Sequence, residues 1–203
     1  HTYNGAGFNA VVSNAGSASI ANVFKIGETE ETLSAVSAHL LTPGQKLNIS
    51  IYTDLSAEYS SPIDGTLALE YTKTVTREGY HTIELPNEVT LNPDSYFSVV
   101  IELVNDNGDS YIPAEVDGAN NIAYSSQSGQ SFIYLPQYYN SWKDTKNIRF
   151  SNGAVLNNVC IQAFTKCDTP SAEPNPDDTT EIEELVNGEI IEFGSYPDSE
   201  VTD

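Results

Sequence analysis

The sequence predicts an all-β chain, and three observations carry that expectation. The segment Lys46–Leu55, KLNISIYTDL, alternates apolar and polar residues, with Leu47, Ile49 and Ile51 on one face and Asn48, Ser50 and Tyr52 on the other. A period of two is the pattern of a half-buried strand. Segments of this kind recur along most of the chain, and turn signals punctuate them: Pro43-Gly44, Asp64-Gly65, Glu78-Gly79, Pro93-Asp94 and Asn107-Gly108. No stretch before residue 178 has a helical period. Short strands at this spacing predict a two-sheet antiparallel β-sandwich of jelly-roll type, followed by an acidic C-terminal tail.

Residues 1–19 are rich in Gly, Ala, Asn and Ser and read as a connecting segment, with one edge strand expected around Phe8–Val12. Strands are then expected at Ile20–Ile26, Leu33–Leu41, Leu47–Thr53, Gly65–Thr76, Tyr80–Leu85, Val89–Leu91, Tyr96–Val104, Tyr111–Val116, Ser131–Leu135 and Val159–Thr165. The sandwich is therefore assigned to 20–166. Residues 167–187 form a Pro-rich, acidic stretch without aromatics, which is linker composition. Residues 188–203 begin with GEIIEFGSY, again strand-like. A lone strand cannot make a domain. It either docks on the body or reads as the start of a truncated next module.

Charge narrows the function classes. The 203 residues carry a formal charge of −21. Residues 1–167 hold 17 acids and 8 bases, whereas 168–203 hold 12 acids and no base. Phosphate binding needs clustered Lys and Arg, so nucleic acid is not an expected partner. Anionic membrane surfaces are disfavoured for the same reason. No apolar run approaches the roughly 18–20 residues that span a bilayer, so no membrane insertion is expected. His1 opens directly in polar, Gly-rich sequence rather than in a leader.

Candidate chemistry is sparse. Cys160 and Cys167 are the nucleophiles to consider, with His1, His39 and His81 as bases. Cys160 has no Gly-rich elbow before it, and no CGSCW-like, GxSxG or HExxH segment occurs, so no nucleophilic triad can be assembled. If 160–166 is one strand, the two cysteine Cα atoms sit about 23 Å apart, too far for a disulfide. Both read as thiols. Glycoside hydrolysis needs a defined carboxylate pair. Glu70, Glu84 and Glu102 alternate out of apolar strands toward solvent, and no pair stands out. Asp106-Asn107-Gly108-Asp109 offers oxygen ligands, with Asp106 and Asp109 the candidates for a Ca²⁺ site. The competing reading is a hairpin turn that needs Asn-Gly backbone angles.

The binding candidates lie in Phe132–Trp142, FIYLPQYYNSW, where Tyr134, Tyr138, Tyr139 and Trp142 accumulate. Exposed aromatic rings stack on flat apolar faces such as those of sugars, while Asn and Gln supply hydrogen bonds. Alternatively these aromatics close the end of the sandwich as core.

The series ANVFKI (21–26), LSAVSAHLLTPGQKLNISIYTDL (33–55), GYHTIELPNEVTLNPDSYFSVVIEL (79–103), GQSFIY (129–134), Ser141-Trp142 and NVCIQAFTK (158–166) resembles the lectin-like domain that follows papain-like cysteine peptidases in secreted proteins of gut anaerobic bacteria. HTYNGAG at the start resembles the segment that joins the two. At His39-Leu40 the chain departs from an aromatic-rich strand common in the relatives. The resemblance implies a β-sandwich, a bacterial extracellular or cell-surface setting, and a peptidase domain upstream in the same chain, with its Cys, His and Asn all before His1. It supplies no sugar-binding residue set. The tail GEIIEFGSYPDSEVTD resembles the opening of a repeated bacterial surface module. The expected function is a non-catalytic accessory domain that binds glycan or another surface polymer and so positions the peptidase. The alternative is a structural domain that packs on the peptidase and binds no ligand. No cofactor other than Ca²⁺ is suggested.

Overall fold

A computed structural model of the chain describes residues 9–13, 16–106, 108–117, 126–151 and 153–167. The tail beyond them, including the expected linker and strand, lies outside the described residues. Among the described residues twelve strands follow one another: β1 (Asn9–Ser13), β2 (Ser17–Lys25), β3 (Glu31–Leu40), β4 (Gln45–Leu55), β5 (Thr66–Val75), β6 (Gly79–Leu91), β7 (Tyr96–Val104), β8 (Ser110–Asp117), β9 (Ser131–Tyr134), β10 (Lys143–Asp144), β11 (Val155–Val159) and β12 (Ile161–Cys167), with a 3₁₀ turn at Thr145–Asn147 after β10. Every pairing between them is antiparallel.

One layer of the sandwich is a six-stranded sheet in the order β10-β9-β2-β7-β4-β5. The other is made of two three-stranded sheets, β1-β8-β11 and β12-β3-β6. They join because β11 and β12 are consecutive and separated only by Cys160. Its N–H donates to Pro113 O at 3.2 Å and its carbonyl accepts from His39 N at 3.4 Å, so the chain passes from a β8 partner to a β3 partner without leaving the layer. Cys160 is buried and Cys167, at the far end of β12, is exposed; the two are not joined to each other.

The period-two pattern explains the core. Ile133, Ile20, Ile101 and Ile49 lie side by side across four strands of the large sheet, each with 1% exposure or less. Leu33, Leu40, Leu91, Ile112 and Leu156 face them from the other layer in the same apolar cluster. Fully burying side chains of this size is worth about 1.5–3 kcal/mol each. Within this core lies one polar knot. Asn22 of β2 donates to the carbonyls of Val159 and Ile161, both at 3.1 Å. Ser131 of β9 donates to Asn22 Oδ1 at 2.6 Å and accepts from Val159 N at 2.9 Å. These bonds satisfy the backbone on both sides of the Cys160 break and pin the two layers to one another.

Three strand expectations are corrected. Tyr80–Leu85 and Val89–Leu91 are one strand, β6. Its pairing with β3 jumps from Leu33↔Val89 to Ala35↔Glu84, so residues 85–88 bulge out of the ladder. Pro86 sits in this bulge, on an edge strand, where its missing N–H costs no ladder bond. The expected Val159–Thr165 strand is preceded by β11 and broken at Cys160. Asn157-Asn158 hid β11, because these polar residues spoil the apolar count, yet Ser126 donates to Asn157 Oδ1 at 2.8 Å and Asn158 donates to Glu115 Oε2 at 2.9 Å. The second added strand is the two-residue β10, too short to register in the sequence.

Candidate functional site

The six-stranded sheet has a second, smaller apolar cluster on its outer face. Ala21 and Val23 of β2, Val100 of β7 and Phe132 of β9 point away from the main core, and Leu55 joins them. Left bare, these side chains would form an exposed apolar patch. Tyr52, Tyr59, Tyr96 and Trp142 pack over them. Tyr59 is the centre of this cover, 5.6 Å from the Tyr96 ring and 6.4 Å from the Phe132 ring between centroids.

Tyr59 belongs to the connection Ser56–Gly65 between β4 and β5, longer than a hairpin needs. Local chemistry fixes it. The Asp64 carboxylate accepts from Ser60 N and Ser61 N, both at 2.9 Å, and from Ser60 Oγ at 3.1 Å. Pro62 O accepts from Ser98 Oγ on the sheet beneath. Gly65 closes the base, where a Cβ would lie 2.3 Å from Thr53 O, so no larger residue fits without movement. From the other side, Tyr59 OH donates to Gly129 O at 2.8 Å. Burial, then Tyr96 and Asp144, push the Tyr59 hydroxyl above its ordinary range, so it stays a donor.

The facing wall is the segment 131–149. Asp144 orders it: its carboxylate accepts from Gly129 N and Lys146 N, both at 2.9 Å, and from Ser128 Oγ at 2.5 Å. Trp142 stands half-buried with its ring 5.8 Å from that of Tyr134, tilted by 40°. Two clefts flank it. One, of about 570 Å³, is lined by Ser60, Ser61, Ile63, Tyr134, Asn140, Ser141 and Trp142. The other, of about 440 Å³, is lined by Trp142 together with Ser60, Tyr139, Lys143, Asn147 and Arg149. Lys143 Nζ lies 5.7 Å from the Tyr139 ring centroid, a cation–π distance.

The four predicted aromatics thus divide. Tyr134 and Trp142 meet and share a cleft. Tyr139 lines the second cleft but also packs against the main core. Tyr138 is 58% exposed and lines neither cleft beside Trp142. Sequence reasoning missed the opposing wall of Ser60, Ser61 and Ile63. Its signal in the sequence was the length of the Ser56–Gly65 connection with an apolar residue, Ile63, inside it; the structure leaves Ile63 42% exposed.

Asp106 and Asp109 are exposed at the β7–β8 turn, where Asn105 Nδ2 donates to Asp109 O at 2.7 Å. Asn107 lies outside the described residues. Among the described residues no group of three or more His, Cys, Asp or Glu is placed to hold a metal ion. The Cys160 thiol is pushed far up by burial, with Glu115 adding to it, the reverse of what a thiolate nucleophile needs. Burial holds His39 below its ordinary value, with His81 reinforcing this. Among the described residues no helix is long and apolar enough to cross a membrane.

Comparison with known proteins places this architecture. The structure is similar to that of the clostridial cysteine protease Cwp84 after propeptide cleavage, with a TM-score of 0.59 and 21% identity over 78% of this chain and 37% of that one. A second structure, of the cysteine protease and lectin-like domains of Cwp84, a surface layer associated protein of Clostridium difficile, gives a TM-score of 0.58 and 18% identity over 78% of this chain and 36% of that one. The chain therefore spans little more than a third of the proteins it resembles. No curated protein sequence matches it. The model of the lectin-like domain family matches residues 2–165, and the chain belongs to that family.

Proposed function

We propose that this domain is a non-catalytic carbohydrate-binding module that holds an attached cysteine peptidase domain against a glycan or another polymer of a bacterial surface. The observation that carries the reading is the Tyr134–Trp142 pair, which stands in an open cleft whose rim is polar: Ser60, Ser61, Asn140 and Ser141. A sugar ring presents an apolar face for stacking and a hydroxyl edge for hydrogen bonds, and this wall offers both. The surface-layer association of Cwp84, which carries cysteine protease and lectin-like domains, supports the peptidase partner and the extracellular setting. A glycan array probed with the chain should give hits that Trp142→Ala removes. An empty array, or hits that survive Trp142→Ala, would overturn the proposal.

A second reading has its own support. Tyr80 and Phe164, 47% and 38% exposed, lie on strands of the β12-β3-β6 sheet, and Tyr80 OH donates to Gln162 Oε1 two residues from Phe164. A neighbouring domain would cover such residues. In this reading the sandwich stabilises the peptidase without a ligand. Thermal unfolding of the joined peptidase with and without the sandwich tests it; an unchanged midpoint removes it.

A further inference from the structure

The positive charge of this acidic chain is unevenly placed. The chain has only eight Lys and Arg against 29 acids, yet Lys143, Lys146 and Arg149 fall within one short segment, and Lys143 and Arg149 both line the 440 Å³ cleft beside Trp142. Lys25 lines a further cleft of the same outer face, with Tyr59 and Tyr96. Among the described residues the one ion pair is Lys166–Glu88, between β12 and β6 of the other layer. Neither cation of the cleft forms an ion pair among the described residues.

One acid lines the same cleft: Asp144, whose two oxygens accept from Ser128, Gly129 and Lys146 N. These donors are neutral and leave its charge in place, so the lining carries two cations against one carboxylate. Asp64, which holds Ser60 and Ser61, lines neither cleft beside Trp142. Glu58 is exposed on the opposing loop and lines neither cleft beside Trp142. Two cations against one carboxylate, beside an aromatic wall and in a body that otherwise repels anions, leave a net positive lining, a local reversal of field that favours a negative group at that spot.

We infer that the groove takes an anionic saccharide, a sugar bearing a carboxylate, phosphate or sulfate group, with a ring against Trp142 and the negative group directed at Lys143 and Arg149. This rests on the carbohydrate-binding reading above and names its substrate class. The rest of the acidic surface then acts as a filter. An anionic polymer is repelled over most of the molecule and accepted in one groove, which sets its orientation.

The test uses the full chain on an array that carries neutral, carboxylated, phosphorylated and sulfated glycans. Hits are expected among the anionic members, and the arm that responds identifies the group. Their signal should fall about tenfold or more in Lys143→Gln/Arg149→Gln, with the unfolding midpoint unchanged, and should weaken steeply between about 0.05 and 0.5 M salt as screening shortens the reach of the cations. Hits confined to neutral glycans and removed by Trp142→Ala would overturn this inference and leave the carbohydrate reading standing. Anionic hits that the double variant does not weaken would also overturn it. An empty array would overturn both.

Discussion

The two faces of the six-stranded sheet are built from the same strands by different rules. The inner face is a row of isoleucines, Ile133, Ile20, Ile101 and Ile49, that strands alone bring into contact. The outer face has small or single apolar residues, Ala21, Val23, Val100 and Phe132, and relies on loops to cover them. The inner face is completed by strands of the other layer, whose apolar residues join the same cluster. On the outer face the cover is partial, and the gaps left around Tyr59 and Trp142 are the clefts. A face finished by loops can carry function because changes there do not reach the core.

This contrast can be broken experimentally. The largest effect belongs to the inner face. Ile101→Ala removes a fully buried side chain from the centre of the isoleucine row and should cost about 3–4 kcal/mol in chemical denaturation. A loss near 1 kcal/mol would mean that the row is not the centre of the core. Next comes the polar knot. Asn22→Ala leaves the carbonyls of Val159 and Ile161 without their donor and Ser131 without its acceptor, and should cost about 2–3 kcal/mol. The outer face should respond least. Tyr59→Phe keeps the ring in the outer cluster and deletes the bond to Gly129 O. It should cost about 1 kcal/mol by the same measurement. If it destabilised as much as Ile101→Ala, the distinction between the faces would fail.

The legibility of the sequence follows the same division. Leu47, Ile49 and Ile51 announced the inner face because side chains on a strand alternate strictly, and all three are buried. Tyr96–Val104 was located to the residue as β7. The outer site was only half legible. Tyr134 and Trp142 stood out by residue type, but nothing local says that Ser60 and Ser61 face them. That contact depends on Asp64 folding the Ser56–Gly65 loop and on Tyr59 reaching Gly129 across the fold. Tyr138 and Tyr139 looked equivalent to Trp142 as neighbours in a loop. The turn after Leu135, where both Tyr138 N and Tyr139 N donate to Leu135 O, sends one toward solvent and the other partly into the core. Asn157 and Asn158 misled for the opposite reason: their partners, Ser126 and Glu115, are distant in sequence.

The chain holds one tryptophan, Trp142, so its emission reports on the proposed site and on nothing else. The direct test is to titrate the native chain with the best-binding array saccharide while following tryptophan fluorescence, with calorimetry in parallel. The account predicts a saturable change in emission whose midpoint matches the calorimetric affinity, and weaker binding in Tyr134→Ala. Saccharide binding by calorimetry with unchanged Trp142 emission and an unaffected Tyr134→Ala variant would place the ligand elsewhere and contradict it.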